Sequence, residues 1–486
     1  MIAYPTFKKD REMADYLQHY IDGKWVDSQG GTRHAVINPA TEQSCTHITL
    51  GTPADVDTAV AAARRAFDSF SQTSVDERIA LLEAIMAEYK HRAGDLAQAI
   101  ALEMGCPISV AKTAQVGSGV GHLAAAIKAL GDFAFEETIN TSIVVHEPIG
   151  VVALITPWNW PLNQIVAKVA PALAAGNTMI LKPSEEAPAC AAIFAEVLEA
   201  AGVPPGVFNL INGDGAGVGA ALSAHPGIDM VSFTGSTRAG IMVAKSAADT
   251  VKRVHQELGG KAPSVVLDSA DMAKAVPGTL MSVLLNSGQS CIAPTRLLVP
   301  AARQAEAVAI AKQMMTATQT GDPMTEGRHI GPLVNKAQFD KVQGLIETAI
   351  AEGATLEAGG PGRPEGVDAG YFVRPTLFSG VTNDMTIARE EIFGPVVTII
   401  PYASEEEAIR IANDTPYGLS AVLFGDREGV KRVAPRLRAG MVYINGGQPD
   451  PSVAFGGYKQ SGNGREYGKF GLAEFMEVKS VIGVLA

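Results

Sequence analysis

Residues 149–186 read IGVVALITPWNWPLNQIVAKVAPALAAGNTMILKPSEE, and the reading of this stretch decides the fold. Ile149–Ile155 is a short, continuous apolar run, β-branched at several positions, so it reads as a strand buried on both faces. Leu162–Ala175 follows with helical spacing, and Thr178–Leu181 is a second short strand. The alternation continues outward with a helix over Pro188–Ala201, a strand over Val207–Ile211 and a helix over Gly215–Ser223. A strand over Met230–Phe233 and a helix over Ser236–Ala248 complete it. Strands alternating with helices at this pitch predict parallel strands covered by helices on both faces, a doubly wound α/β sheet.

A second α/β region begins near Lys261. Strands are expected at Ser264–Leu267, Leu297–Val299, Val396–Ile400, Ser420–Phe424 and Met441–Asn445. Helices are expected at Met272–Asn286, Ala302–Thr318 and Lys336–Glu352, and Gly359–Gly370 reads as a surface loop. The first 120 residues read as mainly helical (Ala54–Phe70, Ser74–Leu102), covering one sheet. Glu137–Glu147 resembles an extended hairpin and Val478–Leu485 an added strand, both with edges that call for a partner.

Composition narrows the function. A chain of 486 residues suggests about three domain-sized units. With 47% hydrophobic and 19% charged residues it can bury a large core without staples. A net charge of −12 disfavours nucleic acid and anionic membranes as partners. The four cysteines, Cys45, Cys106, Cys190 and Cys291, never form C-x-x-C. That argues against a zinc ribbon and a disulfide framework, and it fits a reducing, cytoplasmic setting with no metal site. The N-terminus reaches charges before any apolar run of signal length, and prolines and lysines interrupt the most apolar stretch, so neither a signal peptide nor a membrane span is expected.

Four constellations carry chemistry. Gly288-Gln289-Ser290-Cys291 puts a thiol on a glycine-marked turn, where a lowered pKa would make it a strong nucleophile; the alternative is a small buried hydrophobe, the reading that fits the other three cysteines. Glu257-Leu258-Gly259-Gly260-Lys261 places a carboxylate at a strand end, suited to act as general base on water. Thr156-Pro157-Trp158-Asn159-Trp160-Pro161 leaves the first strand at its carboxyl end, where ligands bind in open α/β sheets, and Asn159 offers an amide donor there. The two tryptophans serve either that site or the packing of the following helix. Phe233-Thr234-Gly235-Ser236 opens a helix whose N–H groups, with Ser236, can hold a pyrophosphate. Gly215-Ala216-Gly217-Val218-Gly219-Ala220 fits G-x-G-x-x-A but lacks an acid at the usual offset. Lys182-Pro183-Ser184-Glu185 places a carboxylate where an adenosine ribose hydroxyl can be met, which favours NAD over NADP.

In this order the motifs resemble those of the aldehyde dehydrogenase superfamily over essentially the whole length. They are Pro157–Pro161 (PWNWP), Lys182–Glu185 (KPSE), Phe233–Gly240 (FTGSTRAG), Glu257–Lys261 (ELGGK) and Gly288–Cys291 (GQSC), followed by Glu390–Pro395 (EEIFGP), Asn413–Leu419 (NDTPYGL) and Phe455–Glu466 (FGGYKQSGNGRE). The resemblance implies oxidation of a small aldehyde to a carboxylic acid with NAD, NADP being a second possibility. It implies that Cys291 forms a thiohemiacetal and then a thioester, that Asn159 holds the oxyanion, and that Glu257 activates the hydrolytic water. It adds Lys168 and Glu466 as a proton path, for which a surface ion pair is the alternative.

For the cofactor, the resemblance points to Thr156, Trp158, Lys182, Ser184, Glu185, Gly215, Phe233, Gly235, Ser236, Leu258, Glu391 and Phe393. It also implies a division into a dinucleotide-binding domain (1–125 and 149–259), a catalytic domain (260–460) and a small β oligomerisation arm (126–148 and 461–486), hence a homodimer or homotetramer. Departures from the family pattern, Ala454 before Phe455-Gly456-Gly457 and an aromatic-free loop over Gly446–Val453, fall in a substrate-facing region. Asn163, Gln164 and Ala167 would line the aldehyde tunnel, Asn163 alternatively capping its helix. Two other activities remain open at this level: a CoA-acylating semialdehyde dehydrogenase, against which the presence of Glu257 counts, and a catalytically idle binding or structural member.

Overall fold

The computed structural model describes residues 13–483. Its largest sheet is ordered Gly462–Asn463, Arg253–Glu257, Met230–Thr234, Val151–Ile155, Thr178–Lys182, Phe208–Leu210, Gln18–Ile21, Lys24–Asp27. The five strands from Arg253–Glu257 to Phe208–Leu210 run parallel. Alternation explains why the central run is apolar throughout. Val151, Ala153 and Ile155 pack with the helix Pro53–Phe70, whereas Val152 and Leu154 pack with the helices Pro161–Ala175 and Ala189–Ala200. Both faces are covered, so no position in the strand can be polar.

From Val151–Ile155 the chain first builds outward through Thr178–Lys182 and Phe208–Leu210, then returns to the other side with Met230–Thr234 and Arg253–Glu257. The order therefore reverses beside Val151–Ile155, and a ligand crevice forms at the carboxyl ends of strands at such a switch point. The second sheet has seven strands in the order Thr355–Ala358, Thr376–Ser379, Val396–Tyr402, Arg296–Pro300, Pro263–Val266, Ser420–Phe424, Met441–Ile444. All its pairings are parallel except that of Thr355–Ala358. A three-stranded antiparallel sheet joins Glu136–Ile139, Ser142–Pro148 and Met476–Val481. Val484 and Leu485, at the end of the strand expected there, lie outside the described residues.

The first 120 residues are mainly helical, as expected, but four strands precede the first helix. Gln18–Ile21 and Lys24–Asp27 form a hairpin that extends the large sheet. Its turn is Asp22-Gly23, both at positive φ (54° and 74°), the left-handed pair a two-residue hairpin turn requires. The strands are four residues each, too short to show periodicity, and the Asp-Gly turn is the signal that marks them. Thr32–Asn38 and Gln43–Leu50 form a second hairpin. The helix expected over 74–102 is two helices, Val75–His91 and Ala93–Glu103, broken at Arg92, whose guanidinium turns to Asp95 and Glu196. Gly215–Ser223 opens as a π-helical turn, Gly215–Gly219, before the short helix Ala220–Ala224. The helix Val116–Asp132 runs through position 125/126, and Gly462–Asn463 pairs with the large sheet although it follows position 461. Among the described residues no helix is long and apolar enough to cross a membrane.

Candidate active site

A cleft lies between the switch point of the large sheet and the second domain. Pro157, Trp158, Asn159, Thr234, Gly235, Ser236, Leu258 and Gly259 line one side; Cys291, Gln338, Lys341, Glu391 and Phe393 line the other. The first group sits at three strand ends, because the strands Val151–Ile155, Met230–Thr234 and Arg253–Glu257 all stop there.

The cleft's chemistry fits a dinucleotide. Ser236 caps the eleven-residue helix Thr237–Ala247 by accepting the Ala239 N–H at 3.3 Å. The hydroxyls of Thr156 and Thr234 are buried with no hydrogen-bond partner, an arrangement that costs stability until a ligand supplies one. At Gly259 a Cβ would stand 2.6 Å from a Glu391 carboxylate oxygen, so only glycine leaves that approach open. Glu391 accepts the Gly260 N–H at 2.8 Å; burial pushes its carboxyl up, partly offset by that N–H and by Lys341. Phe393, at φ 62°, sets its ring edge-on to Trp158 at 5.4 Å. Lys182 is buried and ion-pairs with Glu185 at 3.2 Å, while Ser184 accepts the Glu186 N–H at 3.2 Å. Gly215 is not brought to this cleft, and the Asp214 carboxylate already holds the Gly217 N–H at its turn.

Cys291 lies on the loop between the helix Met272–Leu284 and the strand Arg296–Pro300. Gly288 in that loop has φ 77°, and a Cβ there would collide with the Gly394 carbonyl at 1.9 Å. The neighbouring groups are locked across the domains: Trp160 Nε1 donates to Ser290 Oγ at 2.7 Å and Asn159 Nδ2 donates to the Gln289 carbonyl at 3.0 Å. Asn286 and Gln115 in turn donate to the Asn159 backbone carbonyl. One N–H of the Asn159 amide is thus used for positioning and the second remains for a ligand.

The expected lowering of the thiol pKa does not occur. Burial pushes the Cys291 thiol up, and the Glu391 and Glu257 carboxylates push it the same way, since a negative charge opposes a second one nearby. Cys291 is still partly exposed, whereas Cys106 and Cys190 are buried and burial raises Cys45 to about 12. Alkylation by iodoacetamide should therefore be slow at neutral pH and still be climbing above the pH at which an ordinary thiol has ionised, with Cys291→Ala as the blank; a plateau reached within or below the ordinary thiol range would contradict this sign.

Glu257 ends its strand with its carboxylate turned toward the Gly456 turn, and it is not among the residues lining the cleft. Neither carboxylate oxygen has a hydrogen-bond partner. Burial is the largest influence raising its carboxyl, followed by the Glu466 charge; Lys168 and Arg465 oppose them. Lys168 and Glu466 pair in the interior, their side chains 0% and 4% exposed, so the surface ion-pair alternative fails. Lys168 also donates to Ser232 Oγ at 3.0 Å.

A second cavity of about 410 Å³ is lined by Tyr443, Val453, Ala454, Phe455 and Tyr467, among others. Cys291 is near enough for its charge to influence the phenols of Tyr443 and Tyr467. Asn163 bonds His122 Nε2 at 2.7 Å and Tyr467, and makes no cap bond to its helix, so the capping alternative also fails. Gln164 lines the dinucleotide cleft, its Oε1 buried without a partner. Sequence reasoning passed over Gln338, Lys341, Gln115 and Asn286, which carry no local motif, and Ser232 and His255, which lie on the strands leading into Phe233 and Glu257.

A partly exposed cysteine lining a cleft whose chemistry fits a dinucleotide is the arrangement of a cofactor-dependent oxidoreductase. The sequence matches the model of the Aldehyde dehydrogenase family over residues 25–481, and the chain belongs to that family. It is 54% identical to 3-succinoylsemialdehyde-pyridine dehydrogenase of a Pseudomonas species, over 97% of this chain and 99% of that protein. It is similar to the crystal structure of a cysteine-to-alanine mutant of aldehyde dehydrogenase C from Pseudomonas syringae, complexed with NAD+ and octanal, at 51% identity and TM-score 0.95, covering 96% and 97% of the two chains. An aldehyde dehydrogenase from Bartonella henselae aligns at 47% identity and TM-score 0.95, covering 96% of this chain and 99% of that one.

Proposed function

We propose that this enzyme oxidises an aldehyde to its carboxylic acid with NAD, through covalent adducts on Cys291. The observation that carries the reading is that Cys291 lines the dinucleotide cleft together with Asn159, whose amide has one N–H uncommitted. Cys291 is a partly exposed residue on the open cleft, so the thiol proton can leave to solvent as sulfur bonds the carbonyl carbon and the C=O electron pair moves to oxygen. Asn159 Nδ2–H and the Cys291 N–H hold that oxyanion; losing one such donor typically costs about 3 kcal/mol. Bound NAD supplies the two-electron acceptor that turns this adduct into a thioester. Glu257 then takes a proton from water as the water oxygen attacks, the C–S bond breaks, and the acid leaves. Glu257 can turn toward Cys291 because no hydrogen bond holds it where it stands. Lys168 and Glu466 carry its proton away.

Thr156, Trp158, Phe233, Gly235, Ser236 and Leu258 form the cofactor's phosphate and nicotinamide side, Glu391 and Phe393 the nicotinamide ribose, and Lys182, Ser184 and Glu185 the adenosine ribose. A carboxylate at Glu185 meets a ribose hydroxyl well and repels a 2′-phosphate. The three-part domain division belongs to this reading, with the small three-stranded sheet serving a homodimer or homotetramer in the cytoplasm.

The test is a panel of semialdehyde, aromatic and aliphatic aldehydes with NAD or NADP. The expected result is NADH formation with at least one class and a higher kcat/KM for NAD. Formation of an acyl-CoA instead of free acid, or no reduced cofactor across the panel, would overturn it.

A further inference from the structure

His255 occupies the strand Arg253–Glu257 two residues before the base, so both side chains emerge on the same face of the sheet. Its imidazole is 1% exposed. His255 Nδ1 is 3.1 Å from Ser232 Oγ, on the adjacent strand, and Ser232 Oγ is 3.0 Å from Lys168 Nζ, on the helix Pro161–Ala175. Lys168 closes the row on Glu466. At the other end His255 Nε2 lies 3.6 Å from Glu257 Oε1, and neither atom has any hydrogen-bond partner.

A lysine ammonium only donates, so Ser232 Oγ accepts from Lys168 and has its own hydrogen to give to His255 Nδ1. In that arrangement the imidazole carries its proton on Nε2, aimed at Glu257. We propose that His255 is a positioning residue for Glu257: its Nε2–H, set by Ser232 and Lys168 and 3.6 Å from Oε1, too far for a hydrogen bond as the carboxyl now stands, closes on the carboxylate once it ionises and steadies it at the Gly456 turn until the base moves to Cys291. The inference rests on Glu257 being the hydrolytic base.

The other charges around the pair are consistent with that task. Arg465 and Lys168 face both groups, and Glu466 and Glu474 face Glu257. Burial, helped by the buried Lys168 and the partly buried Arg465 beside the ring, keeps His255 neutral, with its pKa well below the ordinary value. A neutral donor can hold a carboxylate without binding it as tightly as an imidazolium would, which suits a base that must leave. A hydrogen-bond donor favours the ionised carboxylate, so removing it raises the carboxyl's pKa.

The experiment compares wild type with His255→Leu, His255→Gln, Ser232→Ala and Glu257→Gln, reading the NADH burst and the steady-state rate across pH. In His255→Leu the burst amplitude should stay near one equivalent per site. Its steady-state rate at neutral pH should fall roughly ten-fold, and the acid limb of the pH profile should move upward. His255→Gln, which keeps an N–H donor, should restore most of the rate. Ser232→Ala should shift the profile in the wild-type background but add nothing to His255→Leu. An unmoved acid limb in both His255 variants, or a burst lost in step with the steady-state rate, overturns the positioning role. If Glu257→Gln leaves steady-state turnover intact, the base assignment falls and this inference with it. If Glu257→Gln slows turnover and the His255 variants do not, only the inference falls.

Discussion

Cys291→Ala is expected to abolish NAD-dependent aldehyde oxidation while dinucleotide binding survives. The substitution removes one sulfur atom from a partly exposed loop position whose geometry is set elsewhere. Gly288 fits against the Gly394 carbonyl, Trp160 holds Ser290, and Asn159 with Asn286 holds the Gln289 carbonyl. None of these contacts uses the thiol. The groups assigned to the cofactor, from Lys182 and Glu185 to Ser236 and Glu391, are likewise positioned by strand ends and caps that do not involve it. Without sulfur there is no covalent adduct and no route to a thioester, so the loss should be on the order of 10⁴-fold or more, as when a nucleophile is removed from a hydrolase. Initial rates of NADH formation measure the loss, and calorimetric titration with NAD measures what survives. Activity near wild type would remove Cys291 from the chemistry. A matching loss of NAD affinity would instead mean that the loop, not the thiol, had failed.

Much of this site was legible in the sequence, because its parts sit where local rules are strict. The strand run Val151–Ile155 is apolar at every position because helices cover both its faces, and that pattern fixed the large sheet and its switch point. Gly288 and Gly259 mark places where only hydrogen fits. What was not legible depends on contacts between distant segments. The thiol's raised pKa comes first from burial and then from carboxylates 100 and 34 residues away in sequence, none of which a spacing rule around Cys291 contains. Lys168 and Glu466 are 298 residues apart, and only their common burial separates an interior pair from a surface one. The N-terminal hairpin was missed for a different reason. Its strands are too short for a periodicity argument, and the Asp22-Gly23 turn was the signal to use.

Glu257→Gln should separate the two halves of the reaction. Glutamine has nearly the same shape and can occupy the same pocket beside His255 and Gly456, so folding and cofactor binding should be little changed. An amide cannot accept a proton from water, however, and general-base assistance is typically worth about 10²–10⁴-fold. Thiohemiacetal formation and oxidation need no such base, so the first turnover should release close to one equivalent of NADH per site before the rate falls by two to three orders of magnitude. The pH dependence of the native enzyme carries the same signature. Burial and the Glu466 charge raise the Glu257 carboxyl well above its ordinary value, and a base works only when ionised, so steady-state turnover should decline as pH falls through that raised value. That acid limb should be absent in Glu257→Gln, whose residual rate has no carboxylate to titrate. Rapid-mixing kinetics on both proteins, read as burst amplitude and as steady-state slope across pH, decide the matter. A proportionate loss in both phases, or an acid limb that persists in the glutamine variant, would assign the hydrolytic proton to another group.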